Sequence, residues 1–200
     1  MLSELNIFHG MKDMSKLLLH TCCGPCAIYV ARQLRQDHEV SLYFFNPNIQ
    51  PEEEYKLRWQ EIKKWADKDG FNIIKEPYDN GPWFKANKGL ENESEGGARC
   101  LVCYRFRLEQ VARYTREHGY DIFTTTLSIS PHKKADNINL IGDELAKKYG
   151  VKYLEADWKK QDGFKHSCEL SREQGFYRQD YCGYIFSRAE RLMNNNSILN

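Results

Sequence analysis

Seven cysteines carry most of the chemistry open to this sequence: Cys22, Cys23, Cys26, Cys100, Cys103, Cys168 and Cys182. An odd number does not close into a disulfide framework. One or two buried free cysteines are commonly just small hydrophobes. A cluster at 22, 23 and 26, with a second Cys-x-x-Cys at 100 and 103, points instead to metal or redox chemistry. Three versions of that chemistry compete. Cys23-Gly24-Pro25-Cys26 reads literally as a redox dithiol, but thiol–disulfide exchange needs only two thiols and leaves Cys22, Cys100, Cys103 and Cys182 unexplained. A zinc ion could take four thiolates from the two Cys-x-x-Cys pairs, as in a non-catalytic RNA-binding module. The pairs, however, lie much farther apart than the knuckles of a zinc ribbon, and two cysteines are again surplus. An iron–sulfur cluster absorbs many thiolates whose spacing is set by the fold. Such a cluster uses at most four, so six candidates leave two for a second metal or for catalysis.

These residues need a scaffold, and the chain alternates strand and helix patterns to supply one. Lys16–Thr21 is a short apolar run that stops at the cysteines, and Pro25 suits the first position of a helix running over Cys26–Gln36. Glu39–Phe45 reads as a second strand, ending at the turn signal Asn46-Pro47-Asn48. Glu52–Lys68 is helical, with Tyr55, Trp59, Ile62 and Ala66 on one face. Phe71–Tyr78 is a third strand. Asp79–Gly97, rich in Gly, Asn and Glu, reads as partly loop. Leu101–His118 is a helix closed by Gly119. Asp121–Leu127 is a threonine-rich fourth strand, Ala135–Tyr149 a helix ending at Gly150, and Val151–Ala156 a fifth strand. Asp162–Met193 reads as loop and helix, and residues 1–15 as an N-terminal extension.

This order predicts one α/β domain over residues 1–200: a three-layer, Rossmann-like fold on a parallel sheet of about five strands. Such sheets bind ligands beyond the carboxyl ends of their strands. The unusual residues recur there. Cys22 and Cys23 follow strand one, Asn46 and Asn48 follow strand two, Ser128, Ser130 and Lys133 follow strand four, and Asp157 follows strand five. Cys100 and Cys103 open a helix, whose amide dipoles favour a thiolate.

Composition narrows the function classes. The net charge is +1, with 41% hydrophobic and 28% charged residues, so any polyanion must be bound through a local patch. No apolar run reaches the roughly 18 residues of a membrane span. The first 15 residues lack an apolar signal core, and the expected location is therefore the cytoplasm, where thiols stay reduced.

Five sequence blocks carry a family resemblance. They are Leu-Leu-Leu-His-Thr-Cys-Cys-Gly-Pro-Cys at 17–26, Phe-Asn-Pro-Asn-Ile at 45–49 followed by Glu54, Tyr55 and Arg58, Gly-Gly-Ala-Arg-Cys-Leu-Val-Cys-Tyr-Arg-Phe-Arg-Leu at 96–108, Thr-Thr-Thr-Leu-Ser-Ile-Ser-Pro-His-Lys at 124–133, and Tyr-Arg-Gln-Asp-Tyr-Cys-Gly at 177–183. With them the chain resembles the QueH family of epoxyqueuosine reductases. The resemblance implies removal of the epoxide oxygen of epoxyqueuosine at the wobble position of tRNA, the last step of queuosine synthesis. It implies a 4Fe–4S cluster beside a single metal ion (iron or zinc), a nucleotide-hydrolase-like fold, and an electron donor of the ferredoxin or flavodoxin type. Cys22, Cys23, Cys26, Cys100, Cys103 and Cys182 are then the metal ligands, with Cys22, Cys26 and Cys103 also the catalytic candidates. How the six divide between the two metals stays open. Members often carry an aspartate at the place of Cys26, and Cys-Gly-Cys where this chain reads Cys182-Gly183-Tyr184. Cys168 matches no motif and reads as structural.

Substrate-side candidates are Asn46, Asn48, Ser130, Lys133 and Arg178, with His132 beside them. Tyr177 and Tyr181 could stack on an unpaired base. Asp157 and Asp180 are proton-donor candidates, and His20 reads as a core histidine that could support the thiols. Arg99, Arg105, Arg107, Arg113 and Arg116 offer a basic helix face that could contact phosphates. An ATP-using tRNA-modifying enzyme would want a Ser-Gly-Gly-x-Asp-Ser-type loop after strand one, where this chain has Cys-Cys-Gly-Pro-Cys.

Overall fold

The computed structural model describes residues 14–179 and 181–188. Its elements are β1 (Lys16–His20), α1 (Gly24–Leu34), β2 (Glu39–Phe44), α2 (Glu52–Asp69), β3 (Asn72–Lys75), α3 (Gly81–Ala86), α4 (Ala98–Glu117), β4 (Ile122–Thr125), α5 (Ala135–Tyr149), β5 (Lys152–Tyr153) and α6 (Gly163–Glu173), with one 3-10 turn at Leu127–Ile129. The sheet has five parallel strands in the order β3-β2-β1-β4-β5. This is the expected three-layer α/β fold.

Alternation along the strands builds the layers. In β1, Leu17 and Leu19 enter the core shared with α1 and α2, while Leu18 enters the core shared with α4 and α5. In β2, Leu42 and Phe44 take the first side and Tyr43 the second. A strand buried on both faces must be apolar throughout, which is why β1 reads as a continuous apolar run. The helix α6 packs on α1, outside the first layer.

The central strand β1 pairs with β2 on one edge and β4 on the other. The chain leaves β1 toward β2 on one side and returns at β4 on the other, so the order reverses between β1 and β4. A crevice opens where loops diverge at such a reversal.

The strands are shorter than their apolar runs. Thr21 and Phe45 lie just past the ends of β1 and β2. Thr21 N–H still donates to Tyr43 O at 2.9 Å, but the chain is already turning toward the cysteines. The expected fifth strand keeps only two residues. The stretch read as partly loop contains α3, entered at Gly81-Pro82 and anchored by the buried Trp83. The tail expectation holds a helix over 163–173, and its end beyond residue 188 lies outside the described residues.

Candidate metal centre

β1 ends at His20, and the chain delivers Cys22 and Cys23 directly above the sheet edge. Cys23 takes the N-cap position of α1, and Cys26 lies within its first turn. The ligand atoms of Cys22, Cys23 and Cys26 all lie within 4.8 Å of one another. Cys22 Sγ and Cys23 Sγ are 3.7 Å apart. Two thiolates bound at about 2.3 Å to one tetrahedral ion stand roughly 3.8 Å apart, so this trio has the spacing of a metal-binding set.

The second set comes from α4 and the tail. Cys100, Cys103, Tyr104 and Arg107 fall on one stripe of α4, at helical spacing, and face the same cavity as Cys22 and Cys26. Cys182 arrives from the tail and lines that cavity too. The cavity measures about 290 Å³. Five of the six candidate ligands therefore line it directly, and Cys23 joins through its contact with Cys22. Among the described residues, Cys22, Cys23 and Cys26 are the group of three whose ligand atoms are gathered closely enough to hold one ion.

Electrostatics distinguish the thiols. Hydrogen bonds from the Cys23 and Cys26 thiols hold Cys22 well below the ordinary thiol value, helped by Arg107 and Lys133. The same bonding to Cys22 pushes Cys23 up to about 12 and Cys26 well above normal. One negative charge is accommodated easily and the next two are not, so a bound cation would be needed to deprotonate the whole set. Burial raises the Cys103 thiol, against the pull of Arg107. A dithiol enzyme needs a reactive, low-pKa thiol within its Cys-x-x-Cys pair. Here both members of that pair are raised and the lowered thiol is Cys22, outside it.

Neighbouring groups hold the cysteines in place. Gln179 Nε2 donates to Cys23 Sγ at 2.9 Å. Gly96 N–H donates to Cys100 Sγ at 3.2 Å. Arg58 is buried and ion-paired to Glu54 at 2.7 Å, and it donates to the carbonyl of Tyr181 at 3.2 Å. It thereby clamps the tail segment that carries Cys182. Gly183 has φ +113, and a Cβ there would meet Ile49 at 2.8 Å, so only glycine fits beside Cys182. His20 is fully buried, its Nε2–H donating to Phe45 O and its Nδ1 accepting from the Thr125 hydroxyl at 2.8 Å. Burial, with Arg107 nearby, lowers it to about 3, so it stays neutral beneath the cysteine loop.

The polar candidates divide. Asn48, Ser130, His132, Lys133 and Arg178 line the cavity. Asn46 sits behind the wall: its Nδ2 donates to Thr21 O at 2.9 Å and its Oδ1 accepts from Arg107 Nη2 at 2.5 Å. Tyr181 presents its ring to the cavity while its hydroxyl is used by Gln50 O at 2.7 Å. Tyr177 is held on α2, its hydroxyl donating to Glu54 and its N–H to Glu61. Asp157 is ion-paired to Lys159 at 2.7 Å, away from the cavity wall. Asp180 lies outside the described residues. Ser128 is buried without reaching the wall.

One expectation is corrected. The arginines of α4 do not form one basic face: Arg99 and Arg107 are buried and turn to the cavity. Arg105 pairs with Glu144 and Arg113 bonds Gln110. The helix turns by about 100° per residue, so arginines spaced this way cannot share a side. Cys168, which matches no motif and reads as structural, lies on the cavity wall and accepts from Arg178 Nη2 at 3.3 Å. Trp83, Gln179 and Phe164 were missed as wall residues. Gln179 had a signal, since it lies inside the block at 177–183. Trp83 and Phe164 had none, because one aromatic in a polar stretch reads as ordinary packing.

Comparison with known proteins closes the case. A family profile described as epoxyqueuosine reductase QueH matches residues 17–190. The chain is 39% identical over 186 residues to the epoxyqueuosine reductase QueH of Histophilus somni, covering 92% of this chain and 75% of that protein. It is 40% identical over 187 residues to the one of Staphylococcus epidermidis, covering 90% and 79%. Against that of Thermotoga maritima it is 36% identical over 181 residues, covering 89% and 93%. Two solved structures share the fold at 12% identity. One is a predicted subunit of a tRNA methyltransferase from Methanocaldococcus jannaschii, with a TM-score of 0.51 and 80% and 88% of the two chains covered. The other is the U34-tRNA thiolase NcsA of Methanococcus maripaludis with its [4Fe–4S] cluster, with a TM-score of 0.54 and 92% and 66% covered. The profile match over residues 17–190, with relatives 36–41% identical over most of the chain, shows that the chain belongs to the epoxyqueuosine reductase QueH family.

Proposed function

We propose that this chain reduces epoxyqueuosine in tRNA to queuosine, using an iron–sulfur cluster and an adjacent single metal ion. The observation that carries the reading is the Cys22–Cys23–Cys26 trio at metal-binding spacing, facing Cys100, Cys103 and Cys182 across one cavity in a member of this family. That trio suits a single iron or zinc ion. Cys100, Cys103 and Cys182 would hold the 4Fe–4S cluster. When bound, these groups supply single electrons and a Lewis acid for oxygen.

Opening an epoxide to an alkene consumes two electrons and two protons and releases water. The chain's own residues prepare that reaction in three ways. Lys133, His132 and Arg178 place positive or donor groups on the cavity wall, where a nucleotide's phosphates and polar edges need partners. Trp83, Tyr184 and Leu127 supply apolar wall that keeps bulk water from the reduced site. Arg58 and Gln179 fix the thiols from behind, so little reorganisation accompanies electron transfer. A ferredoxin- or flavodoxin-type protein is the proposed electron source, and the cytoplasm the proposed location. Among the described residues, no helix is long and apolar enough to cross a membrane.

The test is anaerobic purification with an absorption spectrum and iron count, followed by nucleoside mass analysis of epoxyqueuosine-containing tRNA treated with the protein and dithionite. Queuosine formation dependent on iron loading supports the reading. A colourless, zinc-loaded protein with no reconstitutable iron would sink it in favour of a binding module.

A further inference from the structure

Three arginines are almost fully buried around the thiols, at 2% exposure for Arg58 and 3% each for Arg99 and Arg107. Their partners differ. Arg58 has the carboxylate of Glu54. Arg99 donates to Glu91 O at 3.1 Å and Ser187 Oγ at 3.2 Å, and stacks on the Tyr184 ring at 4.5 Å. Among the described residues Arg107 has a single side-chain hydrogen bond, to Asn46 Oδ1, and its Nε has no partner. Among the described residues it has no ion pair. A buried charge in that condition is costly, and folds retain one where an opposite charge is to be met.

The position of Arg107 names that opposite charge. It lies one turn along α4 from Cys103 and Tyr104, on the stripe facing the cavity. Asn46 ties its guanidinium to Thr21 O, the residue before Cys22. The guanidinium is therefore held between the two sets of thiols, and its field reaches both Cys22 and Cys103.

We propose that Arg107, oriented by Asn46, is a positioning residue that sets the redox poise of the site by stabilising the reduced, more negative state of a thiolate-ligated iron–sulfur cluster. This rests on the cofactor reading above. The step is a one-electron reduction: the cluster gains one electron from the donor, no bond breaks, and its total charge falls by one. A fixed cation nearby favours that product and so makes the cluster easier to reduce.

The experiment is a dithionite titration of the anaerobically reconstituted full chain, with redox mediators, read by electron paramagnetic resonance. At the poise where half of the wild-type cluster is reduced, Arg107→Gln should lower the reduced-to-oxidised ratio by about tenfold, equivalent to about 59 mV for one electron. Arg107→Lys, which keeps the charge, should stay within about threefold. Asn46→Ser, which removes the bond that orients Arg107 without adding charge, should shift the ratio in the same direction as Arg107→Gln but by less. A merely structural Arg107 would leave the potential unmoved in both. If Arg107→Gln fails to fold or load, Asn46→Ser decides the matter. Clusters in Asn46→Ser and Arg107→Gln that titrate with the wild type overturn the proposal while leaving the cofactor reading intact. A wild-type chain that never assembles a cluster overturns the cofactor reading and this proposal with it.

Discussion

At the scale of single residues, the two cysteine sets have different tolerances. Cys26 belongs to the tight trio, where a carboxylate can replace a thiolate on a Lewis-acidic ion. Cys26→Asp should therefore keep the cluster absorption and a measurable share of epoxide reduction, whereas Cys26→Ala should keep the absorption and lose turnover by at least about tenfold. Cys100→Ala should bleach the protein. Iron counts and nucleoside mass analysis separate these outcomes, and a Cys26→Asp protein as bleached as Cys100→Ala would make Cys26 a cluster ligand. The thiol pattern also bears on disulfide chemistry. With Cys23 raised to about 12 and Cys26 also raised well above the ordinary thiol value, the Cys23–Cys26 pair has no ready nucleophile. Insulin reduction by the anaerobically prepared chain should stay at background, and robust turnover would contradict the metal reading of that loop. The cysteines were legible because type and spacing alone made them unusual. Arg107 was not, since an arginine on an amphipathic helix ordinarily faces water and only tertiary packing turns this one inward.

At the scale of elements, the strands and long helices were readable from apolar runs and from glycines that close helices. Gly70 and Gly150 have φ +71 and +64 at the ends of α2 and α5. The helix α3 was hidden, because its Gly81-Pro82 start and Asn87 end looked like turn chemistry on both sides of one aromatic pair. The tail was legible only as a motif, yet it builds a whole side of the cavity: Gln179 reaches Cys23, Gln50 N–H donates to Gly183 O at 2.7 Å, and Cys182 lines the wall. The left-handed backbone at Gly183, against Ile49, holds that arrangement. Gly183→Ala should destabilise the protein by about 1–3 kcal/mol, seen as a lower thermal midpoint, and should lower iron content by displacing Cys182. An unchanged melting curve with full iron would show that the tail relaxes around an added methyl.

At the scale of the whole molecule, a net charge of +1 means that no general field draws in a polyanion. Affinity for tRNA must come from a few cations at the cavity. Its logarithm should fall with the logarithm of salt, with a slope of about 0.7 for each phosphate contacted by a single-stranded loop. Arg178→Ala should reduce that slope by about one contact in filter-binding titrations, and Arg116→Ala, on the exposed end of α4, should leave it alone. The fold class was open to sequence reasoning because strand–helix alternation admits few topologies, and the strand order then fixed where the cavity had to be. That order also governs how the molecule comes into being. β1 carries the first thiols, but its second edge waits for β4, and the His20–Thr125 bond joins residues 105 positions apart. Contacts so distant in sequence form slowly, after the ribosome has released most of the chain. Cys22, Cys23 and Cys26 are therefore synthesised before Cys100, Arg107, Gln179 and Cys182, which complete the site around them. The assembly of the site is a race between closure of the sheet and oxidation of its first three thiols, and cells growing in air would be expected to win it less often.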